Sequence, residues 1–152
     1  IEIRPAKELR VSYSIDFPHP AVGRQSISLV LTPETYAEHL ASARTFGFLA
    51  EYDWLRSKGL ARGAREDNCI VIGDADVMNG GLRYADEFVR HKVLDLVGDL
   101  ALVGRPVVGH IVAHRAGHAL HAALAREIRQ AAAGEHLRRS ESDAAAVALA
   151  GR

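Results

Sequence analysis

The sequence predicts an α/β (α+β) domain, a two-layer sandwich in which helices cover one face of a mixed sheet. Two patterns support this prediction. Apolar and polar residues alternate over residues 11–17, as in a half-buried strand, and apolar residues recur at helical spacing over residues 84–103. The length of 152 residues and the hydrophobic fraction of 48% are typical of one globular domain. Strands followed by helices favour a layer of helices on a sheet.

The first elements are two strands and a helix. Residues 11–17 and 26–31 both alternate, which predicts strands. Thr32 can cap a helix and Pro33 fits the first helical position. Helical spacing then continues, so this helix is expected to end near Phe46.

The middle of the chain contains an excursion and the longest predicted helix. Residues 47–72 are predicted to form a small β-α-β insert. The long helix is expected from about Tyr84 to Val103, because Gly104 is a typical residue just past a helix end. Residues 107–112 are rich in β-branched residues, which predicts a strand.

The last predicted element is a helix from Ala119 to Ala133 that ends at Gly134. Residues 1–134 are therefore assigned to one domain. Residues 135–152 are expected to form a frayed C-terminal tail.

Composition excludes several classes of protein. The 19 basic residues balance the 19 acidic ones, so the broad basic field of a nucleic-acid-binding protein is missing. The longest apolar stretch is interrupted by Asp95 and Asp99 and is too short for a transmembrane segment. A single Cys69 excludes an internal disulfide and a thiolate zinc site. Because the sequence starts at Ile1 and not at Met, we expect that a preceding segment is missing.

The long helix carries a narrow polar stripe. Four of its polar residues share an arc of about 100° on a helical projection: His91, Lys92, Asp95 and Asp99. His91 and Asp95 are four residues apart, so both side chains lie over one turn and could bind one zinc ion. A solvated helix face is the alternative interpretation.

The other histidines carry weaker signals. His118 follows the turn at Gly117 and is predicted to begin the third helix. Three more are expected to be surface or packing residues: His110, His114 and His121.

Several segments resemble, in order and spacing, the C-terminal half of one enzyme family. They are Ala43–Phe48, Leu55–Leu60, Asp67–Val71, Asp86–Lys92, Leu94–Leu100 and Ala116–Leu120. The family is UDP-3-O-acyl-N-acetylglucosamine deacetylase, the zinc amidohydrolase of bacterial lipid A biosynthesis. The resemblance extends from about Ile15 to Ile128. It implies two similar α/β domains with the active site between them, of which this chain is the second.

The resemblance also implies roles for individual residues. Two match ligands of the Zn²⁺ ion: His91 and Asp95. Three match catalytic groups: His118, Asp99 and Thr45. Four match or replace substrate-binding residues: Lys92, Phe17, Phe46 and Arg115. The insert at residues 47–72 matches an apolar passage for the acyl chain of a UDP-3-O-acyl-glucosamine-type substrate.

By the same resemblance, the third zinc ligand and the glutamate general base lie in an N-terminal domain that this chain lacks. We therefore expect the chain alone to be inactive, and the complete enzyme to be cytoplasmic in a Gram-negative bacterium. Arg62 and Arg65 in the insert leave the acyl-chain length open. The alternative is a non-catalytic UDP-sugar or acyl-lipid binding module of the same fold.

Overall fold

The computed structural model describes the backbone of residues 1–65 and 67–150, and the side chains of these residues except residue 53 and residues 135–150. Four strands form the main sheet: β1 (Glu2–Arg4), β2 (Leu9–Asp16), β3 (Arg24–Val30) and β6 (Gly109–His114). Their order is β1-β6-β2-β3. The β2–β6 pair is parallel and the other two pairs are antiparallel, so the sheet is mixed.

One face of this sheet forms the core. Val11, Tyr13 and Ile15 of β2 point to this face and are buried, whereas the intervening serines are partly exposed. Ile111 and Ala113 of β6 share the buried face. This alternation is the period of two that a half-buried strand requires.

Two helices cover the buried face, α3 (Glu87–Leu100) and α4 (His118–Ala150). A shorter helix, α1 (Pro33–His39), follows β3, and none of its residues is fully buried. Helix α3 packs against β2, β3 and α4, and its buried side chains include Val93 and Leu96. The predicted fold class, a two-layer sandwich of helices on a mixed sheet, is confirmed.

The insert forms a second, separate sheet. It consists of β4 (Thr45–Phe48), α2 (Leu49–Ser57) and β5 (Cys69–Ile72), and β4 pairs in parallel with β5. The predicted β-α-β arrangement is thus present, and its first strand starts two residues earlier than expected.

Helix α1 begins as predicted but is shorter than predicted. The Thr32 hydroxyl accepts the Thr35 N–H, and the Thr35 side chain accepts the Thr32 N–H, a complete capping box. The expected end near Phe46 is wrong, because the helix ends at His39. Leu40 is buried in the core just after the helix. The chain then leads into β4, which already begins at Thr45, so the helix cannot extend to Phe46.

Helix α3 also starts later than the predicted Tyr84. The Glu87 carboxylate accepts the Arg83 N–H in the loop before the helix, so this part of the backbone bonds to a side chain instead of to a helical carbonyl. After Leu100 a 3₁₀ turn leads to Gly104, whose left-handed conformation (φ 75°) ends the element as expected.

Helix α4 continues where an end at Gly134 was predicted. Its backbone remains helical to Ala150. One glycine inside a helix costs about 1 kcal/mol relative to alanine, which is too little to end a helix flanked by strong helix formers. The frayed state of residues 135–152 stays a prediction. Among the described residues, no helix combines the length and the apolar character needed to span a membrane.

We predict that Gly109→Ala destabilises the domain. Gly109 has φ 153°, and an added Cβ would lie 2.9 Å from the Ile3 side chain and 3.1 Å from the Arg4 carbonyl oxygen. Crowding of this kind costs about 1–3 kcal/mol in the free energy of unfolding, measurable by urea denaturation. Gly98→Ala is the matched control. Its Cβ would meet nothing within 4 Å on a helix, so its stability should be unchanged or higher. Equal stability of the two variants would contradict this prediction.

Candidate active site

The polar stripe of α3 lies in a cleft and is mostly covered. The exposed fractions are 12% for His91, 19% for Lys92, 12% for Asp95 and 20% for Asp99. These fractions are low for charged side chains on an open helix face. The alternative of a solvated face is therefore wrong. The start of α4 and the segment before β4 contact the stripe.

His91 and Asp95 are arranged as a ligand pair. The Nδ1–H of His91 donates to the Ala43 carbonyl oxygen at 3.1 Å, and this bond turns Nε2 toward Asp95. Nε2 lies 3.2 Å from Asp95 Oδ1. Two ligand atoms on a tetrahedral zinc, each about 2.0 Å from the ion, stand about 3.3 Å apart. The donor types and their spacing fit a zinc ion.

The other Asp95 oxygen is held by a cation. Lys92 Nζ donates to Asp95 Oδ2 at 3.0 Å. Burial alone would raise the pKa of the Asp95 carboxyl, but hydrogen bonds from His91 and Lys92 outweigh it and lower this pKa to about 2. Asp95 is therefore ionised at neutral pH, as a metal ligand must be.

His118 joins the stripe from the first turn of α4. Its Nδ1 lies 2.7 Å from Asp99 Oδ2, and its Nε2 lies 3.8 Å from Asp95 Oδ2. The imidazole of His118 is 68% exposed, so it faces the open side of the cleft. The structure thus brings His91, Asp95, His118 and Asp99 into one continuous line.

Sequence reasoning missed the part played by His121. It was expected at the surface or in packing, and it is fully buried with its Nδ1 2.9 Å from Asp99 Oδ2. Ligand atoms of Asp99, His118 and His121 all lie within 4.8 Å of one another, a second group that could hold a metal ion. The spacing of three residues between His118 and His121 was the available signal, because it places both on one helix face.

Two phenylalanines form a wall next to His91 and Asp95. The Phe46 ring lies 6.3 Å from the His91 ring, and Lys92 Nζ stands 5.7 Å from its centroid. Phe17, at the end of β2, packs edge-on against Phe46 at 5.8 Å. Both predicted aromatic residues therefore border the polar cleft.

Thr45 and Arg115 lie at the ends of neighbouring segments. Thr45 is the first residue of β4, exposed, two residues after the carbonyl that accepts from His91. Arg115 is exposed in the turn between β6 and α4, with φ 49°, and its N–H donates to Ser14 O. The structure describes no contact between either side chain and the line of acids and histidines.

The family model of UDP-3-O-acyl N-acetylglycosamine deacetylase (LpxC) matches residues 1–130, most of the chain. The chain belongs to this family. Curated relatives support the same family assignment. A UDP-3-O-acyl-N-acetylglucosamine deacetylase of Oleidesulfovibrio alaskensis is 51% identical over 129 residues, 84% of this chain and 42% of that protein. The protein of the same name from Thermosynechococcus vestitus is 53% identical over 126 residues, 83% of this chain and 44% of the relative. The chain thus spans less than half the length of these relatives.

A buried ion pair fixes the segment that contacts His91 in this deacetylase-family domain. Glu87 is fully buried, and its carboxylate accepts hydrogen bonds from the backbone N–H and the guanidinium of Arg44 and from the Arg83 N–H. Burial by itself raises the pKa of Glu87, but these donors outweigh it and leave the pKa lowered. Arg44 lies between Ala43 and Thr45 in the sequence. The Arg44–Glu87 clamp, as we call this ion pair, therefore fixes the position of the Ala43 carbonyl that contacts His91 and of Thr45 at the start of β4.

The insert of this family member encloses a cavity of about 390 Å³. Its lining is largely apolar and includes Phe48, Leu49, Tyr52, Val71 and Met78. Of the two arginines that the sequence places near the expected passage, Arg65 lines this cavity, whereas Arg62 is not among its described lining residues. Phe48 also contacts Phe17, with ring centroids 6.2 Å apart, and so connects this cavity to the aromatic wall.

We predict that Glu87→Gln strongly destabilises the domain. The substitution removes the charge that compensates Arg44, whose side chain is only 9% exposed. Loss of one partner of a buried pair costs about 3–5 kcal/mol in the free energy of unfolding. Urea denaturation measures it. Glu2→Gln, in the exposed pair with Arg4, is the control and should cost less than about 1 kcal/mol. A similarly small decrease in the free energy of unfolding for Glu87→Gln would contradict the stabilising role of the Arg44–Glu87 pair.

Proposed function

We propose that the chain is the second half of a zinc-dependent deacetylase that hydrolyses the N-acetyl group of UDP-3-O-acyl-N-acetylglucosamine in lipid A biosynthesis. The observation that carries the proposal is the continuous line of His91, Asp95, His118 and Asp99 in a partly covered cleft. The relatives, each named a UDP-3-O-acyl-N-acetylglucosamine deacetylase, support the same substrate and reaction.

In this proposal His91 Nε2 and Asp95 Oδ1 would hold the zinc ion together with a histidine from the first domain. A bound zinc ion lowers the pKa of its water towards about 7 and polarises a carbonyl group. The chain contributes the orientation of its two ligands. Ala43 O fixes the His91 ring, and Lys92 holds the second oxygen of Asp95.

His118 is the proposed proton donor. Asp99 accepts from its Nδ1–H, which orients the ring and leaves Nε2 as the nitrogen that faces the substrate side. The other ring nitrogen of His118, Nε2, lies 3.8 Å from Asp95 Oδ2, so a proton on Nε2 points toward the proposed zinc ligand Asp95. When water has added to the acetamide carbon, the C–N bond breaks, the amine nitrogen takes this proton, and acetate and a free amine are released. General acid catalysis of this kind contributes about 10²–10⁴-fold to a rate.

The residues around the line would bind the substrate. Lys92 and Arg115 supply positive charge for the diphosphate, and Phe17 and Phe46 offer aromatic faces to the nucleotide and sugar. Thr45 would donate its hydroxyl near the scissile carbonyl. These assignments follow from the resemblance, together with the contacts of Lys92 and Phe17 with the Phe46 ring.

The insert cavity would receive the acyl chain. The cavity has an apolar lining, and Phe48 connects it to Phe17. An alkyl chain bound there would be buried while the sugar of the same substrate lies beside the zinc. Because the substrate is a nucleotide sugar, the proposal places the complete enzyme in the cytoplasm of a Gram-negative bacterium.

We predict that the chain alone releases no acetate from UDP-3-O-acyl-N-acetylglucosamine. The proposed third ligand and general base are absent from it. Joined to the first domain of the Oleidesulfovibrio alaskensis relative, it should become active, and removal of zinc by a chelator should abolish this activity. In the joined protein His118→Gln should lower kcat at least about 100-fold. His114→Gln, on the exposed end of β6, is the control.

Three results would contradict this assignment. One is zinc-dependent acetate release by the chain alone. Another is full activity of the His118→Gln variant. The third is a joined protein that binds the UDP-sugar and zinc without releasing acetate, which would favour the non-catalytic binding module.

We further predict that Ala64→Trp narrows the acyl passage. Ala64 lines the insert cavity, so the larger side chain should reduce kcat/KM for a long-chain substrate about tenfold more than for a short-chain one, roughly the cost of lost apolar contact for two methylene groups. Ala41→Trp, at an exposed position outside this cavity, should change both values equally. An equal effect of Ala64→Trp on the two substrates would contradict the proposed passage.

A further inference from the structure

We infer that His121 is a positioning residue, which acts through Asp99 to fix the tautomer and orientation of His118. The catalytic meaning of this inference rests on the proposed function, whereas the positioning itself is a property of this chain. His121 belongs to none of the roles that the family resemblance assigns.

One oxygen atom of Asp99 serves both histidines. His118 Nδ1 lies 2.7 Å and His121 Nδ1 lies 2.9 Å from Asp99 Oδ2. The two rings differ in their surroundings, because His118 is 68% exposed and His121 is fully buried. The buried ring of His121 therefore fixes the Asp99 carboxylate from the core side. The Asp99 carboxylate in turn fixes the exposed ring of His118.

Tyr13 anchors the buried ring. Its hydroxyl lies 2.9 Å from His121 Nε2 and 2.8 Å from the Ala116 carbonyl oxygen, so these two acceptors share its single proton. The two rings are packed edge to face at 5.8 Å. Ala116 is only two residues before His118, so the contacts close a circuit from His118 through Asp99, His121 and Tyr13 back to the turn that carries His118.

The protonation states suit this arrangement. Burial lowers the pKa of His121, in spite of Asp99, and raises that of the Tyr13 phenol. A neutral His121 that donates its Nδ1–H leaves Asp99 as the negative charge next to His118. The titratable groups that face the pair are Asp95 and Asp99 of α3 and Tyr13 of β2.

The same contacts argue against a metal ion in the group formed by Asp99, His118 and His121. Each ring nitrogen of His121 already has a hydrogen-bond partner, and the ring is inaccessible to solvent. A donor N–H toward Asp99 cannot at the same time offer a lone pair to a metal. The cluster is better explained as a positioning network.

The test is the imidazole tautomer of His118, measured by ¹⁵N NMR of the metal-free chain above the ordinary histidine pKa. In the parent chain His118 should carry its proton on Nδ1. In His121→Phe this preference should be lost, with ¹⁵N shifts near those of free imidazole. His121→Asn retains an N–H donor at this site and should restore the preference at least in part. His39→Phe, at the exposed end of α1, is the control and should leave His118 unchanged.

An unchanged His118 tautomer in a folded His121→Phe variant would overturn the inference. If that variant does not fold, Tyr13→Phe decides, because it removes only the hydroxyl that connects His121 to Ala116. It should shift the His118 tautomer in the same direction by a smaller amount, and no shift would overturn the inference.

Activity provides a separate readout in the joined two-domain protein. His121→Phe should lower kcat about tenfold, within the range for loss of an outer hydrogen-bond partner, and leave KM and zinc content unchanged. A loss of zinc or an equal change in KM would indicate a merely structural role and overturn the inference. If the joined protein is inactive, the proposed function fails, and the tautomer measurement still decides the role of His121.

Discussion

The rotation of α3 about its own axis is the constraint on which the rest of the site depends. Val89, Val93, Leu96 and Leu100 are buried on one face, so the sheet holds the helix in one orientation. The polar stripe on another face then points into the cleft, and residues spaced by four along it become neighbours. A change of rotation by one residue, about 100°, would bring Lys92 to the buried position of Val93. Core packing and site geometry are thus two results of the same apolar pattern.

Much of this could be predicted from the sequence, because helical periodicity is a local property. The stripe of His91, Asp95 and Asp99 follows from the spacing alone, and the β-α-β insert follows from local strand and helix signals. The end of α1 could not be predicted in this way. The residues after His39 do not continue the helix because the chain must form β4, which pairs with β5 more than twenty residues further along the sequence. The Gly134 signal failed because a single glycine is a weak obstacle within a long run of helix formers.

The covered state of the site also escaped local reasoning. Ala43 and His121 contact the stripe from two other segments, and only the fold brings them together. His121 is instructive, because its residue type predicts a surface position while Tyr13 and Asp99 provide the partners that a buried imidazole needs. The spacing from His118 places His121 on the same helix face, but its burial depends on Tyr13 of β2 and Asp99 of α3, which the pattern of α4 does not contain.

The pairing of the insert has a consequence for how selectivity can diverge in this family. Strands β4 and β5 pair with each other, and within the described part of the chain neither joins the four-stranded sheet. The loop and helix between them can therefore gain or lose residues without disturbing the main sheet. Yet β4 begins with Thr45 and Phe46, and the Phe46 ring packs against His91 of the polar cleft. An insert grafted from a relative should be joined after Phe46, so that the insert cavity is exchanged as a unit and the residues next to His91 are kept.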